Sequence, residues 1–337
     1  MDLKQTVTSL SEAAGASGSE NKAAELALSL LRGYCPDASV INGNVIGHFG
    51  VHREGLPSLV LDAHIDQVGF VVTYITDDGF IKVGNIGGID RRLLPAQPVV
   101  IHGKRSIKGV ICSVPPHLTD GGAEVLKWED VAIDTGMTKA ELEEAVAQGD
   151  SVTFDTSCRS LIGDRITGGA LDDRCGVTAI LYALDLLSGQ SAEYNVTVIF
   201  STQEEVGERG AKTGAFLIDP DIAIAVDVSF AYAIGEEENK CGYLGKGPMI
   251  GLSPSLSREI SDSLISVAEA SGIPYQKEVM NGLTSTNADR YSVNRSGAKA
   301  CTVSIPLRNM HTPVEVIDLS DVEMTAKLLA EYIREGR

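Results

Sequence analysis

Short apolar runs and longer helical patterns alternate along the sequence, except in one internal block. The alternating part contains the apolar runs SLVLDAHID and NVTVIFS and the helical runs RCGVTAILYALDLLSG and SDVEMTAKLLAEYIREG. From about Val68 to Gly163 the pattern changes to short strands and turns, with one short helical run, TKAELEEAVAQG. Alternation of strands and helices is typical of a sheet covered by helices. The pattern therefore predicts a parallel or mixed α/β sheet that is interrupted by an inserted β-barrel.

The acidic composition limits the classes of partner. The 337 residues include 46 Asp and Glu against 28 Lys and Arg, which gives a formal net charge of −18. Such a charge argues against nucleic acid and anionic membranes as partners, because both would repel the chain.

The N-terminal sequence and the spacing of the cysteines bear on where the protein is located in the cell. The N-terminus has no apolar segment typical of a signal peptide, and no run approaches the length of a membrane span. The six cysteines form no Cys-x-x-Cys pair. We therefore expect a cytoplasmic protein with reduced thiols.

Histidines and carboxylates follow the predicted strands or precede a predicted helix. In chain order they are His64 and Asp66, Asp172 and Asp173, Glu204 and Glu205, Asp227, and His311. Because the carboxyl ends of parallel strands meet at one edge of an α/β sheet, we expect these side chains to lie together. Two imidazoles and several carboxylates suit Zn²⁺, with Co²⁺ and Mn²⁺ as alternatives. One carboxylate such as Asp172 can bridge two metal ions.

The adjacent residues Glu204 and Glu205 suggest two different chemical roles. Neighbouring residues at a strand end point in different directions. One glutamate can therefore bind a metal ion while the other acts as general base towards a metal-bound water. Taken singly, each of these signals also fits an ordinary loop histidine, a helix N-cap or a solvated acidic turn. Their coincidence at one edge of the sheet favours the metal site.

Several motifs resemble those of metallopeptidase family 42. They are AHIDQVGF, NIGGID, GVICSVPPHL, ALDDRCGV, STQEEVGERGA, VDVS and SIPLRNMHTPVEV. The family includes glutamyl and tetrahedral aminopeptidases, and some members are named endoglucanases. The resemblance implies a zinc-peptidase-like mixed sheet flanked by helices, formed by residues 1–67 and 164–337. It also implies an inserted β-barrel dimerisation domain over residues 68–163.

The resemblance further implies a role for each site residue. The implied ligands are His64, Asp172 and Asp227 for one metal ion, and Asp172, Glu205 and His311 for the other. Glu204 would be the general base, and Asp66 would orient His64. The implied cofactors are two divalent ions, zinc first and cobalt or manganese as alternatives. The implied substrates are short peptides cleaved at the N-terminus, and the implied assemblies range from dimers to dodecamers.

Three departures from the family pattern lie near these residues. Gln67 replaces a common Glu, Asn287 replaces an Asp, and residues 308–312 read RNMHT instead of RYxHS. Because they are close to ligands in sequence, we expect Asn287 and Arg308 to contact the substrate. Candidate cations for binding an acidic N-terminal residue are Arg308, Lys246 and Arg174.

Three functions compete at this point. The first is a dinuclear-metal aminopeptidase that uses a metal-bound hydroxide and a glutamate base. The second is a β-glucan hydrolase, which would use two carboxylates and leave the two histidines without a role. The third is a non-catalytic or altered-specificity member of the family, and the complete ligand set with an intact Glu204 argues against lost catalysis.

Overall fold

A computed structural model describes residues 1–118 and 125–336 of the chain. The helices in these residues are α1 (Leu3–Glu12), α2 (Asn21–Leu31), α3 (Lys139–Ala145), α4 (Leu171–Leu186), α5 (Arg209–Ile218), α6 (Arg258–Ser271), α7 (Ala288–Ser292) and α8 (Leu319–Glu335). The strands are β1 (Ser39–Ile41), β2 (Asn44–Phe49), β3 (Ser58–His64), β4 (Gly69–Ile75), β5 (Ile81–Ile86), β6 (Pro98–His102), β7 (Ser106–Ile111), β8 (Ala132–Asp134), β9 (Ser151–Phe154), β10 (Arg159–Ser160), β11 (Arg165–Gly168), β12 (Asn195–Ser201), β13 (Ile222–Phe230), β14 (Met249–Leu252), β15 (Gln276–Val279), β16 (Lys299–Leu307) and β17 (Glu315–Asp318).

Eight strands form one mixed sheet in the order β1-β2-β12-β3-β13-β16-β14-β15. β3 runs parallel to β12 and to β13, and β13 runs parallel to β16. These four strands are apolar along most of their length because helices or loops cover both faces of the sheet. Their parallel direction brings their carboxyl ends to one edge. The predicted α/β fold is confirmed.

Six strands form a closed barrel in the order β4-β5-β8-β7-β6-β9. The barrel has its own apolar core, which includes Phe70, Ile101 and Ile133. The predicted inserted barrel is therefore confirmed. β10 lies inside the predicted range 68–163 but pairs with β11, which pairs with β17 in a separate small sheet. Whether residues 68–163 act as a dimerisation domain stays a prediction.

Helix α4 lies against the sheet at the centre of the molecule. It contacts β3, β13 and the helices α1 and α8. Most of its residues are buried, which explains why its sequence is apolar on nearly every side. Its first turn is irregular, because Asp172 and Asp173 have non-helical backbone angles. This irregular first turn places Asp172 and Asp173 at the edge of the sheet where the carboxyl ends of the parallel strands lie.

The start of α2 differs from the sequence-based expectation. The pattern suggests Ser17 or Ser19 as the N-cap, but the helix begins after Glu20, which makes no side-chain cap hydrogen bond. The hydroxyl of Ser17 instead donates a hydrogen bond to Asp66 at 2.5 Å. A tertiary contact with the sheet edge therefore replaces the predicted local cap.

The length and hydropathy of the helices bear on whether any of them could span a membrane. Within the described ranges, none is both long enough and apolar enough to cross a bilayer.

The position of β3 in the main core leads to a stability prediction. Leu61 is 0% exposed, so Leu61→Ala leaves a cavity and lowers the free energy of unfolding by about 2–5 kcal/mol. The control Leu217→Ala on α5, where the side chain is 54% exposed, changes it by about 0.5 kcal/mol or less. Urea denaturation followed by circular dichroism measures both variants. Equal effects would contradict the central position of β3.

Candidate functional site

The structure brings the six predicted ligand and base residues to one cleft. His64 ends β3, Asp172 lies in the first turn of α4, and Asp227 lies within β13, three residues before its end. Glu204 and Glu205 follow β12, whereas His311 follows β16. All six line a cleft of about 990 Å³. The parallel strand order thus produces the clustering that the sequence predicts.

The carboxylate of Asp172 lies between the two imidazoles. Its Oδ1 is 3.0 Å from His64 Nε2, and its Oδ2 is 3.3 Å from His311 Nε2. His64 Nε2 is also 3.8 Å from Asp227 Oδ1, and His311 Nε2 is 3.3 Å from Glu205 Oε1. Ligands of a tetrahedral zinc ion, at about 2.0–2.1 Å from the metal, lie roughly 3.3 Å from each other. The spacing therefore fits a metal ion held by Asp172, Glu205 and His311, with the other oxygen of Asp172 facing His64.

The other ring nitrogen of each histidine faces a main-chain carbonyl. His64 Nδ1 lies 3.1 Å from the carbonyl oxygen of Asp66, and His311 Nδ1 lies 2.8 Å from that of Gly88. Because a carbonyl only accepts hydrogen bonds, each Nδ1 carries the proton in its neutral ring. Each Nε2 then directs a lone pair at the carboxylates, as a metal ligand requires.

Asp173 is a competing ligand for the first position. One of its oxygens lies within 4.8 Å of ligand atoms of His64 and Asp227. However, the side chain accepts hydrogen bonds from the main-chain N–H of His64 at 3.2 Å and of Gly176 at 3.1 Å. Asp173 is fully buried and supports the backbone under the site. These contacts favour Asp172 as the ligand.

Asp66 holds the turn that carries the two glutamates. Its Oδ1 accepts the main-chain N–H of Glu204 at 2.9 Å, and its Oδ2 accepts that of Glu205 at 3.1 Å. Its carboxylate is 3.5 Å from His64 Nδ1, farther than its own carbonyl oxygen. Asp66 is therefore a positioning residue that acts on both glutamates as well as on His64.

Glu315 is a site residue that sequence reasoning did not identify. Its Oε2 accepts the main-chain N–H groups of Leu171 at 2.7 Å and Asp172 at 3.2 Å. Its Oε1 accepts the N–H of His311 at 3.0 Å. In the sequence it is simply an acidic residue four positions after His311, and a spacing of that kind is too common to indicate a role.

Burial and mutual repulsion change the pKa values of the cluster. Burial and then the charge of Asp227 raise the pKa of Glu204 to about 9, against the lowering effect of nearby imidazole charge. Burial and then the charge of Asp172 raise the pKa of Glu205 to about 8. Burial lowers the pKa of His311, but the hydrogen bond to Asp172 and the charge of Glu205 outweigh it and raise the pKa to about 10. Such a cluster holds protons at neutral pH, and divalent cations compete for the same atoms.

The predicted substrate-binding residue Asn287 lies beneath the site. Its side chain is only 2% exposed and donates hydrogen bonds to Asp62 Oδ1 at 3.2 Å and Ser201 Oγ at 2.7 Å. Asp62 also accepts the hydroxyl hydrogen of Tyr291 at 2.8 Å. Asn287 is not part of the cleft wall, so its contacts support β3 and β12 rather than a substrate.

The three predicted pocket cations also lie away from the cleft wall. Arg308 donates from Nε to the carbonyl oxygen of Tyr232 at 2.7 Å. Arg174 is fully buried and donates to two main-chain carbonyls at the end of α1. Lys246 lines a separate surface groove. None of these residues is among those that line the described cleft.

Comparison with known proteins agrees with this geometry. The profile of the peptidase family M42, described as M42 glutamyl aminopeptidase, matches residues 43–328. A lysyl aminopeptidase of Pyrococcus furiosus is 32% identical over 96% of this chain and 94% of its own length.

Solved structures of aminopeptidases superpose on the whole chain. An aminopeptidase from the archaeon Desulfurococcus kamchatkensis has a TM-score of 0.92 and 34% identity, covering 99% of this chain and 94% of its own. The Pyrococcus horikoshii TET1 peptidase has a TM-score of 0.87 and 32% identity, covering 99% of this chain and all of its own. That peptidase can assemble into a tetrahedron or a large octahedral shell.

The fold, the site and these matches define the class as a peptidase, a hydrolase of amide bonds. The chain belongs to the M42 family of aminopeptidases.

The contacts of Glu315 predict how metal affinity depends on it. Glu315→Gln offers one carbonyl oxygen and an NH₂ group to three N–H donors, so the backbone of Asp172 and His311 must shift. We expect zinc affinity to fall about 10–100-fold, measured by competition with a chromophoric chelator. The control Glu259→Gln, which removes an exposed ion pair with Lys299, should bind zinc normally. Unchanged affinity in Glu315→Gln would contradict the positioning role.

Proposed function

We propose that this chain is a dinuclear-metal aminopeptidase that removes N-terminal residues from short peptides. The observation that carries the proposal is the carboxylate of Asp172 between the Nε2 atoms of His64 and His311, with Glu204 in the same cleft. Membership of the M42 family supports the reaction class.

The ligand residues divide into two sets that share one carboxylate. His64, Asp172 and Asp227 would hold one ion, and Asp172, Glu205 and His311 would hold the other. When bound, two divalent ions polarise the scissile carbonyl and lower the pKa of water towards about 7. Zinc suits this mixture of imidazoles and carboxylates, with cobalt and manganese as alternatives.

Glu204 is the proposed general base. Its carboxylate lies within 4.8 Å of ligand atoms of His64 and Glu205 and has a partly open position in the cleft. It takes a proton from the attacking water and passes it to the leaving amine. Asp66 fixes the turn that carries Glu204, and this limits the positions that the base can occupy.

Peptide substrates also suit the charge of the cleft. Among the residues that the structure describes, six carboxylates line it, those of Asp172, Glu204, Glu205, Glu208, Asp227 and Glu278. A free α-ammonium group is attracted to such a wall, whereas an N-acetylated terminus is not. This difference favours the hydrolysis of N-terminal residues over cleavage within a chain.

We also propose a homo-oligomer between a dimer and a dodecamer, with the barrel over 68–163 as a contact domain. The support comes from the similar TET1 peptidase of Pyrococcus horikoshii, which can assemble into a tetrahedron or a large octahedral shell. A cytoplasmic location agrees with the six free cysteines, because a reducing compartment keeps thiols unpaired.

The test of the general base is Glu204→Gln. We expect kcat to fall by about 10²–10⁴ while zinc content stays at the wild-type level, because proton transfer is lost and the ligands remain. Assays use aminoacyl anilides with free and N-acetylated termini, after removal of metal and reloading with Zn²⁺ or Co²⁺. Glu269→Gln, an exposed glutamate on α6, is the matched control.

Three outcomes would contradict parts of this proposal. Turnover of Glu204→Gln within about tenfold of the wild type would exclude the base role. Retained activity on β-glucan after thorough chelation would favour a glycosidase. A metal-loaded protein that cleaves none of the free-amine substrates would argue for a non-catalytic member of the family.

A further inference from the structure

Glu278 places a carboxylate in the cleft away from all proposed metal ligands. It lies on β15, an edge strand of the sheet, whereas the ligands follow or lie on the inner strands and α4. Its Oε2 accepts a hydrogen bond from Ser304 Oγ at 2.8 Å, and its Oε1 accepts one from the hydroxyl of Ser229. These two serines belong to β16 and β13, so the carboxylate faces the inner strands.

The register of the strands places Glu278 beside the reaction centre. Ser304 pairs directly with Asp227 across β16 and β13, and paired residues of neighbouring strands lie about 5 Å apart. Ser229 follows Asp227 by two residues and therefore shares its face of the sheet. The carboxylate of Glu278 thus lies on the same face of the sheet as Asp227 and borders the same cleft as the proposed metal ligands.

The hydrogen bonds of Glu278 leave room for a ligand. Each oxygen of a carboxylate can accept about two hydrogen bonds, and each here receives one from a serine hydroxyl. Both serines hold the carboxylate in one orientation. Its remaining acceptor positions can therefore serve a cation in the cleft.

The cleft wall near Glu278 suits a long aliphatic side chain. Met280, which directly follows β15 and lies two residues after Glu278, lines the cleft, and Met249 on the neighbouring strand β14 borders it with only 2% of its surface exposed. Lysine and arginine pack their methylene groups on apolar surface and direct their charge to a polar group. The half-buried Met280 and the fixed carboxylate of Glu278 together offer both features.

Within the described part of the chain, two lysines line the same cleft, and neither forms an ion pair with Glu278. Lys240 is exposed and forms an ion pair with Glu237 at 2.9 Å. Lys277 precedes Glu278 on β15 and therefore lies on the other side of this edge strand, where its exposed side chain borders the cleft without pairing with Glu278. The carboxylate therefore stays available to a cationic substrate.

We propose that Glu278 selects peptides whose N-terminal residue is lysine or arginine, by pairing with the cationic end of that side chain. This inference rests on the proposed aminopeptidase function and specifies its substrate class. Family names do not decide the preference, since both glutamyl and lysyl aminopeptidases are among the matches.

The test compares lysyl, arginyl, norleucyl and glutamyl anilides on the zinc-loaded protein. Norleucine has an aliphatic stem like that of lysine without its charge. We expect kcat/KM of the wild type to be on the order of 10²-fold higher for lysyl than for norleucyl, because the wrong side chain leaves a charge unpaired. Glu278→Gln should lower kcat/KM for lysyl by a similar factor and change the norleucyl value by about threefold or less.

Two further variants separate a specific role from a structural one. Glu278→Asp keeps the charge and should retain part of the preference for lysyl over norleucyl. Glu269→Gln is the same chemical change outside the cleft and should retain all of it. Independently of any variant, lysinamide should inhibit the wild-type hydrolysis of norleucyl anilide at least about tenfold more strongly than norleucinamide.

Several results would overturn the inference. They are equal wild-type hydrolysis of lysyl and norleucyl anilides, a preference for glutamyl anilide, or equal losses for lysyl and norleucyl in Glu278→Gln. Equal losses would mean that Glu278 binds the α-ammonium group or stabilises the fold, and that it does not recognise the side chain of the first residue. Failure to cleave all four anilides would overturn the proposed function, and this inference with it, so the two failures are distinguishable.

Discussion

The site depends on hydrogen bonds from main-chain N–H groups to two buried carboxylates. Asp66 receives the N–H groups of the two adjacent glutamates, and Glu315 receives those of Asp172 and His311. Repulsion among crowded carboxylates would otherwise spread these residues apart, since their charges are poorly screened when buried. Each buried carboxylate gains the donors that it needs, and each ligand loses freedom of its backbone. The arrangement prepares a metal site before a metal binds.

The inserted barrel is connected to this site through one loop. Gly88 follows β5 of the barrel, and its carbonyl oxygen holds His311 Nδ1. Its neighbour Gly87 has a φ of 74°, and a Cβ there would lie 3.2 Å from Glu205 Oε2. A larger residue would therefore disturb both the backbone and a proposed ligand. The barrel thus contributes directly to the orientation of a histidine that we propose as a metal ligand, whatever part it plays in assembly.

Sequence reasoning succeeded where a pattern has one dominant physical cause. Apolar runs that alternate with helical runs have to form a covered sheet, and parallel strands have to end at one edge, so the clustering of His64 with Glu205 was predictable. Sequence reasoning failed where the hydrogen-bond partner of a side chain is distant in the sequence. The N-cap predicted at Ser17 or Ser19 was wrong, because the helix begins after Glu20 and the hydroxyl of Ser17 binds Asp66 instead. Glu315 and the edge strand β15 showed no periodic signal, and their roles arise from contacts with residues far away in the chain.

The sequence by itself determined the fold class and the types of side chain proposed to bind metal, because hydrophobic periodicity and residue chemistry are local properties. The tertiary structure decided which atoms face each other. It placed Asp172 between the two imidazoles, directed Asn287 to Asp62 beneath the cleft, and turned Glu278 towards the inner strands. Hydrogen bonds act over about 3 Å, whereas sequence spacing fixes the position of a side chain only along its own strand or helix. Geometry at that scale requires the packing of the whole chain.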